Sequence, residues 1–352
     1  MTLATVVFKF LLVIGCIGLL TACTTVDAHK QNDPTQKRSG MNFQFSIVGD
    51  LPYNASQEYA LYNIISPEVL DSDFIIHVGD YKAGSNQPCT VDLDQKHKTW
   101  MIKLGIPVFY SPGDNDWADC DRASNAPVVR ETKRLKEIRA TFFDPVPTPI
   151  PAKWNATWQV GAPENSSWFV NGIRFATVHV IGGNNGRDTI GPCAPGTVCD
   201  TRSDIAELVA AREKQSFAWI KSTFDKAASE DADAVVLALH ADMFQGKYFD
   251  IECINAAQVE CDGFKTLRET IIDKSSEFAK PVLLVHGDTG AYCWDRTMGG
   301  TKAPNLVRLN SAGDYVLIDA VDVVFDPDSP KPFHAVGTIS NLLPAETQCS
   351  RD

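Results

Sequence analysis

Residues 108–117 read Val-Phe-Tyr-Ser-Pro-Gly-Asp-Asn-Asp-Trp. A short run of bulky apolar residues is followed at once by a Pro-Gly turn and by the carboxylates Asp114 and Asp116. Val, Phe and Tyr are enriched in strands, and a short continuous apolar run of this kind is typical of a strand buried on both faces. The stretch therefore predicts a buried strand that ends in acidic residues.

Four other apolar runs end in the same way. They finish in Val48-Gly49-Asp50, Val78-Gly79-Asp80, Leu239-His240-Ala241-Asp242 and Val285-His286-Gly287-Asp288. One Gly-Asp pair alone is explained equally well by a turn, because both residues tolerate left-handed backbone geometry. The carboxyl ends of strands line the ligand crevice of α/β sheets, and carboxylates crowded there repel unless a cation lies among them. The repetition therefore predicts a metal centre.

Apolar runs that predict strands alternate with patterns that predict helices. The predicted strands are 43–48, 74–78, 108–110, 175–181, 234–239 and 282–285. The predicted helices are 56–65, 96–104, 130–143, 204–228 and 264–278. Three further runs, at 306–309, 315–324 and 334–339, predict consecutive strands that form antiparallel structure against the same core. The alternation predicts an α/β protein.

The first residues indicate export. An apolar run over residues 10–20 is too short for a permanent membrane span, which needs roughly 20 apolar residues, and it is typical of a removable signal. The following Leu-Thr-Ala-Cys resembles the bacterial lipobox. This resemblance implies a lipoprotein signal peptide over residues 1–22, lipidation of Cys23, and an anchor in the cell envelope, in the outer membrane facing the periplasm. An ordinary signal peptide cut nearby is the alternative.

The composition of the chain limits its domain organisation and its partners. Residues 23–41 are polar and predict a flexible tether, whereas residues 42–352 are long enough for one domain with a large core. The net charge of -12 argues against nucleic acid as a partner, because phosphate backbones are bound by clustered Lys and Arg.

Cysteine content fits an exported chain. Without Cys16 and Cys23 eight cysteines remain, and an even number favours disulfides over zinc ligands. Short spacings favour the pairs Cys193–Cys199 and Cys253–Cys261, and elimination leaves Cys89–Cys120 and Cys293–Cys349.

The order Gly-Asp, Gly-Asp, Gly-Asp-Asn-Asp, His, Gly-Asp-Thr resembles the five-motif signature of the calcineurin-like metallophosphoesterase superfamily. That signature runs Asp-x-His, Gly-Asp, Gly-Asn-His-Asp/Glu, a lone His, and Gly-His-x-His. The resemblance implies a four-layer sandwich of two mixed β-sheets flanked by helices, two metals with a bridging hydroxide, and hydrolysis of small-molecule phosphoesters. Residues 49–53 and 112–117 are more similar to a bacterial subgroup with Gly-Asp-x-Pro-Tyr and Pro-Gly-Asp-Asn-Glu-Trp segments.

The resemblance assigns ligands by position. Asp50 matches the first Asp and Asp80 the bridging carboxylate, whereas Asp114 stands in place of the ligand Asn. His240 matches the lone His, and Asp288 stands in place of the first His of the last motif. Three carboxylates and one imidazole, from Asp80, Asp114, Asp288 and His240, would complete one position, and this hard shell favours Mn²⁺, Mg²⁺ or Fe over Zn²⁺. One or two such ions per chain are expected.

The departures from the signature fall mostly on the other metal position. Pro52 and Gly290 stand where the family has two ligand His residues, so a second cation would be held weakly by Asp50 and Asp80, or not at all. Asn115 replaces the catalytic His, and its amide cannot donate a proton to a leaving group, although it can bond a phosphoryl oxygen. The predicted catalytic residues are therefore Asn115 and Asp50, the latter as base or orienting partner.

Two functions stay open. The first is a metal-dependent phosphoester hydrolase with one metal or with two, and the alternative is an inactive binding protein of the cell envelope that keeps this fold. Neighbouring residues have plain structural explanations as well. Asp116 and Asp242 are expected to orient the ligands. Packing in the core is the simplest explanation of His77, His179, Tyr53 and Trp117. The alternation of side chains along a strand places His286 on the face opposite the candidate ligands. Asn184 and Asn185 fit a turn or the ligand crevice equally well.

Overall fold

In the computed structural model, residues 43–188, 199–347 and 349 are described. Their first sheet has five strands in the order β12-β11-β1-β2-β3. Its strands are β1 (Gln44–Val48), β2 (Ile75–His77), β3 (Val108–Tyr110), β11 (Val321–Phe325) and β12 (Phe333–Gly337). Strands β1, β2 and β3 run parallel, whereas β11 is antiparallel to both β1 and β12. This sheet is therefore mixed.

The second described sheet has eight strands in the order β13-β9-β10-β8-β7-β6-β5-β4. Its strands are β4 (Thr157–Gln159), β5 (Ala162–Val170), β6 (Ile173–Thr177), β7 (Ala234–Ala238), β8 (Val282–His286), β9 (Cys293–Asp295), β10 (Leu306–Asn310) and β13 (Ala345–Glu346). The central strands β6, β7, β8 and β10 are parallel, and antiparallel pairs join β4 to β5, β5 to β6 and β9 to β10.

Helices cover the outer faces of both sheets. They are α1 (Ala55–Ala60), α2 (Ser66–Val69), α3 (Val91–Leu104), α4 (Asp114–Trp117), α5 (Glu131–Phe142), α6 (Gly182–Gly186), α7 (Arg202–Ser229) and α8 (Lys265–Phe278). A π-helical turn, Leu61–Ile65, joins α1 to α2. Their ends carry the expected signals: Thr90 and Thr201 cap α3 and α7, and Gly105 ends α3 at φ 72°.

Three apolar clusters show the layer order. One cluster contains Phe45 and Ile76 of the first sheet together with Phe175 and Leu283 of the second, so the two sheets share a core. A second cluster joins the other face of the second sheet to α7 and α8, and a third joins the other face of the first sheet to α3 and α5. The predicted four-layer α/β sandwich is confirmed. Among the helices that the structure describes, none has the length and apolar composition needed to cross a membrane.

The C-terminal strands differ from the prediction in two respects. Strands β11 and β12 are antiparallel as predicted, but β10 pairs in parallel with β8. The predicted strand 315–324 begins only at Val321, because residues 313–317 form a turn closed by a bridge between Gly313 and Leu317. An apolar run records strand propensity but not the partner or the direction of the strand, so the local pattern could not show either feature.

Disulfide bonds join three of the predicted pairs. Cys89–Cys120, Cys253–Cys261 and Cys293–Cys349 are all bonded, and this confirms those pairings. The fourth predicted pair, Cys193–Cys199, includes a cysteine outside the described residues and stays a prediction.

Candidate metal centre

The five acidic strand ends meet at one place in the molecule. Three of the aspartates, Asp50, Asp80 and Asp288, have left-handed backbones with φ of 53°, 57° and 71°. Asp is one of the few residues other than Gly that adopts this conformation. Each of these three Gly-Asp segments therefore makes a sharp turn at its strand end, and that same turn places the carboxylate in the shared cluster.

Glycines allow the carboxylates to approach the backbone. A Cβ on Gly113 would lie 2.0 Å from Oδ1 of Asp80, and a Cβ on Gly287 would lie 2.1 Å from Oδ2 of Asp50. Both distances are far below van der Waals contact, so no residue with a side chain fits at either position without a shift. The glycines of these motifs are required for the geometry of the site.

His240 lies at the centre of the cluster and is fully buried. Its Nε2 atom lies 3.2 Å from Oδ1 of Asp114, 3.6 Å from Oδ1 of Asp80 and 3.6 Å from Oδ1 of Asp288. Its Nδ1 atom lies 2.8 Å from the carbonyl oxygen of Val78 and donates to it. That hydrogen bond leaves the lone pair of a neutral imidazole on Nε2, facing the three carboxylates, which is the usual orientation of a ligand histidine.

Two overlapping groups of side chains offer ligand atoms within 4.8 Å of one another: Asp114, His240 and Asp288, and Asp50, Asp80 and His240. Burial raises the pKa of Asp50 to about 7, with further increases from Asp288 and Asp314 that His240 opposes. Burial alone would lower the pKa of His240, but the surrounding carboxylates raise it well above its usual value. Buried carboxyl groups that resist ionisation together, gathered around one imidazole, fit a divalent cation.

The structure brings all five predicted ligands together, but it adds two features to the second position. The hydroxyl of Tyr53 lies 3.3 Å from Oδ1 of Asp50 and 3.2 Å from Oδ2 of Asp80, between the two carboxylates of that position. A Cβ on Gly290 would lie 2.3 Å from Cγ2 of Val316, so the valine fills the space of a longer side chain there. The sequence favours aromatic packing over substrate stacking for Tyr53, and the one signal for its contact with the carboxylates is its place directly after the Asp50 motif.

Asp116 accepts hydrogen bonds from the backbone that carries the candidate ligands. Its Oδ2 atom accepts hydrogen bonds from the amides of Asp80 at 2.9 Å and Gly113 at 2.8 Å and from the hydroxyl of Tyr110 at 2.8 Å. Its Oδ1 atom accepts from the amide of Tyr81 at 3.1 Å. The side chain therefore ties two of the strand-end turns together.

Asp242 has a similar place beside Asp288. Its amide donates to Oδ2 of Asp288 at 3.2 Å, and its carboxylate accepts from Arg308 at 2.8 Å and from the hydroxyl of Thr289 at 3.3 Å. These contacts are the ones expected of a residue that orients a ligand.

Asn115 lies directly against the cluster. Its backbone amide donates to Oδ1 of Asp80 at 3.1 Å and to Oδ1 of Asp114 at 3.0 Å. Its carbonyl oxygen accepts from the ammonium of Lys82 at 3.1 Å, and that ammonium is buried. The backbone of Asn115 is therefore fixed between the metal-ligand candidates and a buried cation.

Three described histidines near the cluster, His77, His179 and His286, are buried and have core contacts, as predicted. His77 Nε2 lies 3.1 Å from His97 Nε2 in the core, and His179 accepts a hydrogen bond from the buried Trp117 at 3.2 Å. His286 faces Arg308, with its Nε2 atom 3.4 Å from Nη1, and not the carboxylates.

The two asparagines at the strand end belong to the turn. Asn184 donates to the carbonyl oxygens of Val259 at 3.0 Å and Cys261 at 2.8 Å. Both Asn184 and Asn185 have left-handed backbones within α6. Of the two alternatives for these residues, the turn is the one observed.

Comparison with known proteins agrees with the geometry. The family model of the calcineurin-like phosphoesterases matches residues 43–265, and the chain belongs to that family. Among solved structures, the chain is similar to GAP50, "the anchor in the inner membrane complex of Plasmodium", at 9% identity and a TM-score of 0.44, over 88% of this chain and 91% of that one. At these values the likeness carries no information on function. No curated protein matches the chain by sequence.

Proposed function

We propose that the protein is a metal-dependent hydrolase of small-molecule phosphoesters that holds one divalent cation firmly and a second weakly or not at all. The firm position consists of Asp80, Asp114, Asp288 and His240. The observation that carries the proposal is the placement of His240 Nε2, which lies 3.2 to 3.6 Å from the buried carboxylates of Asp80 and Asp114 and the partly buried carboxylate of Asp288. Oxygen-rich shells of this kind favour Mn²⁺, Mg²⁺ or Fe over Zn²⁺.

A cation in this place would supply an activated water and would offset negative charge on the phosphoryl group. The protein's own groups would orient the reactants. Both oxygens of Asp50 accept from the amide of Asp288 at 3.1 Å, so this carboxylate is held in a fixed direction and can take a proton from the attacking water. Because Asn115 cannot donate a proton, the reaction favours esters with good leaving groups.

Three features support the weak second position. Pro52 and Gly290 have no ligand atoms in their side chains, Val316 fills the space beside Gly290, and the Tyr53 hydroxyl lies between Asp50 and Asp80. The same features favour the alternative function, an inactive member of the family that serves as a binding protein of the cell envelope. The two functions differ in turnover, because the fold is compatible with both.

The test is hydrolysis of an aryl phosphomonoester and an aryl phosphodiester by the purified protein with Mn²⁺ or with EDTA. We expect turnover that needs the metal and that falls roughly 100-fold or more in Asp80→Ala, since this buried carboxylate lies beside His240 and is proposed as a ligand of both metal positions. The matched control is Asp273→Ala, which removes a half-exposed carboxylate paired with Lys302 at the surface. Folded protein that binds metal but turns over neither ester would favour the binding protein.

We also propose that the protein is exported and anchored by lipid at Cys23, in the outer membrane facing the periplasm. Three disulfides support an oxidising compartment, because such bonds persist mainly outside the cytosol. Metabolic labelling with a radioactive fatty acid tests the anchor. We expect label in the wild type and none in Cys23→Ser, whereas equal labelling of both would contradict it.

A further inference from the structure

The proposed function creates an electrostatic problem at the site. A phosphoryl group carries one or two negative charges, and it must approach Asp50, Asp80, Asp114 and Asp288. One divalent cation does not neutralise four carboxylates, so the substrate would still meet net negative charge. Repulsion of this kind is reduced when a second cation lies close to the bound anion. The inference below rests on the proposed function and concerns the source of that charge.

The guanidinium of Arg122 lies beside the residue that replaces the family's catalytic histidine. The Nη1 atom of Arg122 and the Oδ1 atom of Asn115 lie 2.9 Å and 2.4 Å from the point where a Cβ on Gly84 would be. Both side chains therefore pack over the same glycine. The backbone of Asn115 in turn contacts Asp80 and Asp114, which brings the guanidinium to the rim of the metal centre.

Arg122 is available to a ligand, whereas the nearby lysine is not. The Arg122 side chain is 45% exposed, and its ion pair with Asp119, at 2.6 Å, lies within one helical turn. Asp119 is only 13% exposed, so this pair is not a surface one. Because a guanidinium carries five N–H groups, a phosphoryl group can bind it while that pair persists. Lys82, in contrast, is fully buried and donates to the carbonyl oxygens of Ala83 and Asn115.

The backbone around Arg122 is held in place. The disulfide Cys89–Cys120 fixes the residues just before it, and Asn125 donates from Nδ2 to the carbonyl oxygens of Gly84 and Asp119, each at 2.9 Å. Nη1 of Arg122 itself donates to the carbonyl oxygen of Gly84 at 3.2 Å. Only the side chain has to turn to reach a ligand.

We propose that Arg122, together with the side-chain amide of Asn115, binds the non-bridging oxygens of the substrate's phosphoryl group and so makes phosphomonoesters the preferred class. A guanidinium binds two oxygens of one phosphate at once, whereas a lysine ammonium acts as a point charge. A monoester keeps two non-bridging oxygens free when a third faces the cation, and a diester keeps only one. The guanidinium of Arg122, with its paired N–H donors, therefore binds a monoester better than a diester.

The experiment compares wild type, Arg122→Lys and Arg122→Ala, with Arg296→Lys as the matched control because Arg296 is also an arginine in an ion pair. In the Mn²⁺-loaded protein we expect kcat/KM for an aryl phosphomonoester to fall roughly 100-fold in Arg122→Ala, as for loss of other transition-state donors. We expect a roughly tenfold fall in Arg122→Lys, and smaller losses for the diester. The control keeps wild-type values.

Calorimetric binding of inorganic phosphate provides a readout that does not depend on turnover. We expect phosphate affinity to fall in both Arg122 variants while the bound Mn²⁺ per chain stays unchanged. Equal phosphate affinity in wild type and both variants would overturn the inference. Absence of turnover in the wild type would instead overturn the proposed function, and the phosphate measurement would still decide the role of Arg122.

Discussion

Val316 fills the space beside Gly290: a Cβ on the glycine would lie 2.3 Å from Cγ2 of the valine. The valine comes from the turn at residues 313–317, and Asp314 of that turn donates its amide to the carbonyl oxygen of Asp50 at 2.7 Å. Gly290 is therefore not an empty place where a ligand has been lost. The turn at residues 313–317 occupies the space that the ligand histidine of the family would need at position 290. The absence of that histidine and the position of the turn are therefore coupled.

This coupling predicts that a single substitution does not restore the second metal position. Gly290→His should lower the free energy of unfolding by about 1 kcal/mol, the low end of the cost of overpacking because Val316 is 69% exposed, and should leave metal binding at one equivalent. The double variant Gly290→His/Val316→Gly should recover most of that loss. Urea unfolding of both variants and of Val316→Gly checks the expectation. Full stability of Gly290→His alone would show that the valine does not restrict this position.

A second prediction concerns the hydroxyl of Tyr53. Tyr53→Phe keeps the ring, whose centroid lies 5.3 Å from that of Tyr315, and removes the contacts with Asp50 and Asp80. We expect the metal-free protein to lose about 1 kcal/mol of stability, the net value of a typical hydrogen bond. Tyr59→Phe, at a tyrosine that is 64% exposed, is the matched control and should change nothing. Equal unfolding curves for wild type and Tyr53→Phe in EDTA would contradict the role of the hydroxyl.

Metal affinity should rise with pH between about 5 and 8. Burial raises the pKa of Asp50 to about 7, and the carboxylates raise that of His240, so the metal-free site holds protons near neutrality. A cation must displace these protons, and their release makes the apparent affinity weaker at lower pH. Calorimetry of Mn²⁺ binding at pH 5.5, 6.5 and 7.5, in buffers of different ionisation enthalpy, gives the affinity and the protons released. A constant affinity without proton release would refute this account of the site.

The buried histidines give a prediction for acid stability. His77 accepts a hydrogen bond from the amide of Gly79 at 3.1 Å, and burial lowers its pKa to about 3. The unfolded chain, with a pKa of about 6.5, binds the proton first, so the stabilisation is complete above pH 6.5 and is lost as the pH falls toward 3. The loss is about 1.4 kcal/mol per pH unit.

The contribution of His77 can be separated from that of other groups by the variant His77→Gln. Between pH 6 and 4 the unfolding free energy of wild type should fall more steeply than that of the variant. Buried carboxyl groups such as Asp50 change both slopes equally and in the opposite direction. Their effect therefore cancels in the difference between the two slopes. Parallel slopes would mean that His77 is protonated in the folded protein.

The clustering of these side chains could be predicted from the sequence because their signals are local. Asp50, Asp80 and Asp288 each follow a glycine at the end of an apolar run, and the strand, the turn and the ligand are read from adjacent residues. His240 follows its strand in the same manner. The topology of parallel strands then brings these ends together, as expected for α/β sheets.

The residues that sequence reasoning missed have long-range contacts. Val316 meets Gly290 only because β10 pairs in parallel with β8, and no local pattern records that pairing. Arg122 lies over Gly84 because a disulfide joins Cys89 to Cys120. Tyr53 is adjacent to a motif, but packing explains an aromatic residue there equally well until the position of its hydroxyl is known.

The most direct test of the account is a titration of metal-free protein with Mn²⁺ in which bound metal and hydrolysis of an aryl phosphomonoester are measured together. We expect activity to reach its maximum at one Mn²⁺ per chain, and both binding and activity to be lost in His240→Ala. Maximal activity only at two tightly bound ions per chain, or metal binding without any hydrolysis, would contradict a hydrolase with one firm metal position.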